Sequence, residues 1–150
     1  MTTSFAIAID AIATFPATIT GIRNAYTLAN TPAELTREKL PCAVILPSIE
    51  SGEGYQTLAA MGGSPKFEFS VTQLILWTDA AKDYGKAGAA LVTFWDNYMA
   101  AINTTPFYTG ASNPAVHSAP LIKPDFGKVV YGDVEYLALT LKHTNLRINL

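Results

Sequence analysis

Few side chains in this 150-residue sequence are of the types that bind metals or take part in catalysis. His117 and His143 are the only histidines, and Cys42 is the only cysteine, so no internal disulfide can form. A structural zinc site needs four nitrogen or sulfur ligands, which these three residues cannot supply. A mixed site of histidine and carboxylate is formally possible, but no helical i, i+4 pair in the sequence offers it. We therefore expect no metal and no cofactor.

The residues that could act as nucleophiles also lack the partners that this chemistry needs. Ser118 follows His117 directly, but neighbours in an extended segment point to opposite sides, whereas a serine nucleophile needs its base within hydrogen-bond reach. Cys42 lies in the apolar run CAVIL, which predicts a buried structural thiol. The sequence has no nucleophile elbow, Walker loop or dinucleotide-binding fingerprint. A hydrolase that uses His117 or Ser118 is kept as an alternative to be tested.

Two pairs of carboxylates could be nominated for glycosidase chemistry, namely Glu50 with Glu53 and Asp125 with Asp133. Both pairs fall in predicted turns, where acidic side chains are ordinarily solvated. Because no stronger catalytic pattern is present, we expect that the protein is not an enzyme.

The composition indicates a chain that shares surface with partners. Charged residues make up 15% of the sequence, and hydrophobic residues make up 49%. Soluble domains usually carry about 25% charged residues. The net charge is -2, and the ten lysines and arginines form no run, which disfavours direct reading of DNA. No stretch of about 18 apolar residues predicts a membrane helix. The N-terminus has no basic region and Asp10 interrupts its apolar stretch, so we expect no export signal.

Two short helices are predicted in the first third of the chain. Phe5, Ile9 and Ile12 recur at helical spacing, which predicts an N-terminal helix that ends near Thr14. The sequence TPAEL resembles a capping box with proline at the first helical position, and it predicts a second helix over 32–39.

Strands are predicted on both sides of a glycine-rich turn. The apolar run CAVILP predicts a strand that is buried on both faces. The stretch SIESGEGYQTLAAMGGSPKFEFSVTQLILW then predicts a long hairpin that turns at 62–65. Phe67, Phe69 and Val71 alternate with polar residues in its second arm. A projecting hairpin of this kind suits a ring subunit that lays it on a neighbour.

The main helix is predicted over 80–102, with Thr78 or Asp79 as its N-cap. Its apolar stripe consists of Tyr84, Ala87, Gly88, Leu91, Trp95, Tyr98 and Ile102. Two closing strands are predicted at about 120–130 and 134–148, joined by the turn YGD.

The last of these strands is apolar on both faces. Leu137, Leu139 and Leu141 form one face, which we expect to meet the helix, whereas Tyr136 and Ala138 lie on the other. Together the elements predict a single α+β domain over residues 1–150. An antiparallel-dominated sheet with a long hairpin would pack on one main α-helix plus a short N-terminal helix.

The order of these elements resembles the tail terminator and neck (head-tail completion) proteins of long-tailed bacteriophages. The resemblance is carried by the segments LPCAVILPS, FEFSVTQLILW and VVYGDVEYLALTLKH and by the helix between the last two. It implies a structural virion protein in the tail or neck, assembled in the host cytoplasm. Such proteins form a ring, commonly of six subunits, which ends tail polymerisation at the head-proximal end of the tail tube.

The resemblance also implies the partners, which are further copies of the chain, the tail tube protein and the head-tail connector. DNA would pass through the pore as non-specific cargo, and no membrane is involved. A related connector or a tail-tube-like subunit is an alternative, as is a small ligand-binding α+β module with a pocket lined by Trp77, Trp95 and Tyr98. Our candidates for subunit contacts are Tyr55, Leu58 and Met61 on the hairpin, Tyr136 and Ala138 on the last strand, and Phe107 and Tyr108 for an axial neighbour.

Overall fold

The computed structural model describes residues 4–47, 55–56, 66–79, 84–108, 116–118 and 120–149. They form two α-helices and one six-stranded sheet, an α+β single-domain fold as predicted. The helices are α1 (Phe5–Thr14) and α2 (Tyr84–Thr104). The strands are β1 (Asn24–Ala25), β2 (Cys42–Pro47), β3 (Tyr55–Gln56), β4 (Lys66–Asp79), β5 (Leu121–Tyr131) and β6 (Val134–Asn149).

The sheet has the strand order β1-β2-β4-β6-β5, and β3 pairs with β4 beyond the end of β2. Only β1 and β2 are parallel, so the prediction of an antiparallel-dominated sheet is confirmed. Tyr55 is paired with Glu68 and Gln56 with Phe67, which brings together the two arms of the predicted hairpin. Its turn over 62–65 lies outside the described residues.

The N-terminal helix agrees with its prediction. The side chain of Ser4 accepts a hydrogen bond from the amide of Ile7 at 3.2 Å, which satisfies a donor that the first turn leaves unpaired. The helix ends at Thr14, and Pro16 lies in the 3-10 turn Phe15–Thr18 that follows. Ile12 is fully buried against the sheet.

The main helix is described over Tyr84–Thr104, and residues 80–83, where it was predicted to begin, lie outside the described residues. Thr78 and Asp79 belong to β4, where they pair with Leu137 and Tyr136 and extend the sheet beyond its expected end. Among the residues described, neither helix is both long enough and apolar enough to span a bilayer.

One face of the sheet packs against both helices. Leu137, Leu139 and Leu141 are buried in this helical core, as predicted. The side chains that α2 contributes are Ala87, Leu91, Phe94 and Tyr98, all of them buried. Phe94 was not part of the predicted stripe.

A β-bulge keeps the helical core continuous along β6. Phe69 pairs with Leu146, whereas Val71 pairs with His143, so β6 has one residue more than β4 at this point. Asn145 accommodates the additional residue by adopting a left-handed backbone conformation with a φ of 59°. The β6 positions that face the helices therefore change from odd numbers up to His143 to even numbers from Leu146 onwards.

The opposite face of the sheet is covered by the irregular segment 26–40 of the same chain. This second cluster contains Leu40, Cys42, Val44, Leu74, Leu76, Tyr136 and Ala138, with Tyr26, Leu35, Val129 and Tyr131 packed around it. The run CAVILP is thus a strand with buried side chains on both faces, in agreement with its prediction.

The predicted helix over 32–39 does not form. The segment contains a single short 3-10 turn, Arg37–Lys39. Its backbone carbonyls accept side-chain hydrogen bonds instead: Pro32 from the hydroxyl of Tyr131, and Glu38 from Arg23 at 2.9 Å. These tertiary contacts hold the segment flat on the sheet, and they outweigh the local capping signal.

The turn between β5 and β6 also rests on this segment. Gly132 and Asp133 have φ angles of 57° and 64°, as expected for a two-residue hairpin turn. A Cβ atom on Gly132 would lie 2.7 Å from the carbonyl oxygen of Ala33. Glycine is therefore required here both by the backbone conformation and by the close approach of the segment.

The expectation that a second subunit covers Tyr136 and Ala138 is corrected by this arrangement. Tyr136 is 3% exposed and Ala138 is fully buried, both beneath residues of their own chain. A strand with two apolar faces did need a cover, but segment 26–40 provides it.

Replacing Tyr136 with lysine should consequently destabilise the fold. We expect the free energy of unfolding to fall by about 3 kcal/mol or more, because the substitution removes a buried ring and places a charge in its position. Urea denaturation at low protein concentration would measure the change. The matched control is Val130→Lys, an exposed site on the neighbouring strand, where a change within about 0.5 kcal/mol is expected. Equal effects of the two substitutions would contradict the burial of Tyr136.

Candidate interaction surface

The structure does not bring the seven predicted contact residues together on one surface. The backbone of Tyr55 pairs with β4, but its side chain, Leu58 and Met61 lie outside what the structure describes. Phe107 is half-buried against the helical core. Tyr136 and Ala138 belong to the second cluster.

Tyr108 is also part of the core, so its predicted role as an axial contact is corrected. Its hydroxyl lies 2.8 Å from Nδ1 of His143, and its ring meets that of Phe15 edge-on at 5.4 Å between centroids. The residue is 6% exposed and has a φ of 65°. This left-handed conformation directs the ring back into the core after the end of α2.

His143 is buried and neutral. It is fully buried, with Tyr98 and Tyr108 as its aromatic neighbours. Burial lowers the pKa of His143 to about 3, because the charged imidazolium would lose its hydration. Burial likewise raises the pKa of both tyrosine hydroxyls. Among the described residues, Nε2 of His143 has no hydrogen-bond partner.

Gln73 is the second polar side chain in the helical core, and it connects the sheet to α1. Its Nε2 donates a hydrogen bond to the carbonyl of Ile12 at 3.1 Å, close to the end of the helix. Gln73 and His143 lie on the same face of neighbouring strands, since Val71 pairs with His143. Their hydrogen bonds tie α1 and the chain after α2 to the sheet, which is a structural role.

The other candidates for chemistry are engaged in similar structural contacts. The hydroxyl of Ser118 donates to the carbonyl of Asn145 at 2.6 Å, and Nδ1 of His117 accepts from the amide of Asn149 at 3.1 Å. Burial raises the pKa of the Cys42 thiol to about 12. Within the described parts of the chain, no three residues of the metal-binding types are grouped together.

The aromatic residues proposed to line a ligand pocket pack against one another instead. Trp95 stacks on Tyr98 at 5.7 Å between ring centroids, and Trp77 lies 5.9 Å from Phe94. Tyr98 is fully buried. These rings fill the core.

Several exposed apolar side chains lie on the edge strand β5, and others lie on the helices, such as Val92 and Met99 of α2. We call Phe126, Lys128 and Val130 of β5 the edge surface. Alternate residues of a strand share a face, and their partners Leu139 and Leu137 show that this is the face that carries the helices. Phe126 is 43% exposed and Val130 is 65% exposed, because α2 does not extend over β5 at this point. A cavity of about 290 Å³ remains between Phe126 and the first half of α2.

A second apolar site lies beside α1. A cavity of about 420 Å³, here called the α1 pocket, is lined by Phe5, Ala6, Ile9, Asp10, Leu28 and Ala29. Phe5 and Leu28 remain 38% and 49% exposed. Asp10 is the only charged residue of the helix.

Comparisons of the chain with models of protein families, with curated proteins and with solved structures find no match. Function must therefore be inferred from the residues themselves. The buried polar residues are committed to the core, whereas the edge surface and the α1 pocket present apolar side chains at the sheet edges.

Replacing Tyr108 with phenylalanine should destabilise the core. Nδ1 of His143 would lose its partner while staying buried, at a cost of about 1–3 kcal/mol in the free energy of unfolding. The same substitution in a His143→Leu background provides the control. Denaturant unfolding of the four proteins in this cycle should show a coupling between the two sites, and strictly additive effects would argue against the hydrogen bond.

The stability of the protein should fall on acidification because His143 is neutral in the folded state. Its pKa is about 3 when folded and 6.5 ordinarily, so below pH 6.5 the unfolded chain binds a proton that the folded chain does not. The contribution is fully present above pH 6.5 and is lost as the pH falls towards 3. Unfolding free energies of the wild type should decline more steeply than those of His143→Leu, by up to about 1.4 kcal/mol per pH unit. Parallel pH profiles would contradict this prediction.

Proposed function

We propose that the protein is a structural subunit that associates with further copies into a ring at the head-proximal end of a bacteriophage tail tube. The ring would end tail polymerisation and join the tail to the head connector, with DNA passing through its pore. The proposal includes no enzymatic turnover, and it places the protein in the tail or neck of the virion.

The observation that carries the proposal is the apolar exposure of the closing hairpin. Leu121, Phe126, Val130 and Val134 are large hydrophobic residues that are all at least 38% exposed. They lie on or beside β5, whose outer edge is unpaired within the described part of the sheet. A strand edge with apolar side chains is a natural site for association with another chain.

The arrangement of the core supports the same proposal. One face of the sheet is covered by the helices and the other by segment 26–40, so neither face is free for a partner. Contacts between subunits can therefore use the lateral edges of the sheet and the outer surfaces of the helices, where Val92 and Met99 are exposed. Subunits that use two different edges form a heterologous interface, which closes into a ring when the rotation permits.

The order of elements, which resembles that of the tail terminator and neck proteins, supports the more specific proposal of a ring at the end of a tail tube. Strand β2, the long strand β4, helix α2 and the closing hairpin follow one another as the resemblance implies. A related connector or tail-tube-like subunit would have the same order, so only partner binding distinguishes these roles.

The purified protein should associate with itself, and its mean mass should rise with concentration until a closed ring forms. Sedimentation velocity would measure the mass, and electron microscopy would show rings. Added to a polymerising tail tube protein, the rings should stop elongation and shorten the tubes. A connector subunit would bind the head connector without affecting the tubes, and a tube-like subunit would itself form tubes. The proposal would be refuted if the chain is monomeric at every concentration and neither binds tail tubes nor changes their length.

A further inference from the structure

We propose that the α1 pocket of one copy receives the edge surface of a second copy. Phe126 and Val130 would enter the apolar pocket, and Lys128 would pair with Asp10 across the interface. The inference rests on the proposed self-association and names the surfaces that carry it.

The α1 pocket is apolar and partly exposed, as is typical of a surface that another chain covers. Helix α1 has the sequence FAIAIDAIAT, which is apolar on all sides except at Asp10. A helix of this kind is normally buried all round. Its inner side packs on the sheet through Ile9 and Ile12. The ring of Phe5 contacts Phe67 and Phe69 edge-on, yet Phe5 and Leu28 remain 38% and 49% exposed beside the pocket.

The edge surface matches this pocket in apolar character and is opposite to it in charge. Phe126 and Val130 are exposed on one face of an edge strand, and Lys128 lies between them. The ammonium group of Lys128 is 3.9 Å from the carboxylate of Glu135, and both side chains are more than half exposed. An exposed pair at this distance is weak, and an ammonium group has three donors, so Lys128 can also bind the carboxylate of Asp10.

The two surfaces cannot meet within one chain. Helix α1 packs on β2, whereas β5 forms the other side of the sheet, with β4 and β6 in between. Three strand spacings amount to about 14 Å. The contact must therefore join two copies, and because it uses two different surfaces it continues from each subunit to the next.

Charge reversal tests the contact directly, since Asp10 and Lys128 are both exposed and neither supports the core. Asp10→Lys and Lys128→Asp should each weaken self-association at least about tenfold, because like charges would then face each other in an apolar interface. An equimolar mixture of the two variants should associate nearly as well as the wild type, since alternating copies again place opposite charges at every interface. The double variant should behave in the same way. Sedimentation velocity over a concentration series would measure the self-association of each variant, of the mixture and of the double variant.

The matched control is Lys123→Asp, which makes the same change of charge at an exposed position on the other face of β5. It should leave association close to the wild-type level and should not restore Asp10→Lys. Thermal unfolding would establish that each variant is folded. If both charge reversals leave self-association unchanged, or if mixing the two variants does not restore it, this inference is overturned. The proposed ring would remain intact. A wild-type chain that never associates would overturn both.

Discussion

The fold depends on the need to cover both faces of strand β6. Leu139 points into the helical core, and Ala138 points into the second cluster on the opposite face. The strand is also paired on both edges, with β4 on one side and β5 on the other. A strand that is enclosed in this way leaves no polar surface along its middle. The helices and segment 26–40 are both required, because removing either would expose one face of the same strand.

This double requirement explains which parts of the fold could be predicted from the sequence. Periodicity predicted α1, α2 and the alternating strand β4, and continuous apolar runs predicted β2 and β6 as strands that are covered on both faces. The helix over 32–39 was predicted from caps that are valid locally. It fails because the carbonyls of Pro32 and Glu38 bind Tyr131 and Arg23, which are distant in the sequence. No local pattern contains that information.

The candidate site shows a related limit. An apolar residue such as Tyr136 has the same pattern whether its cover comes from its own chain or from another, so the sequence could not separate these cases. Tyr108 gave no signal, since its burial follows from a single backbone angle after α2. The edge surface was accessible to sequence analysis: Phe126, Lys128 and Val130 alternate in a predicted strand. What the sequence could not supply is that α2 stops short of β5.

The position of β6 in the sheet also has a consequence for biosynthesis. Of the described strands it is the last to be translated, yet its 16 residues lie between two strands that are made earlier. While the ribosome still holds them, β4 lacks its longest partner and segment 26–40 has no Tyr136 to rest on. One edge of the apolar strand β4 therefore stays open until β6 has left the ribosome. It is during this interval that a holding chaperone would matter most to the protein.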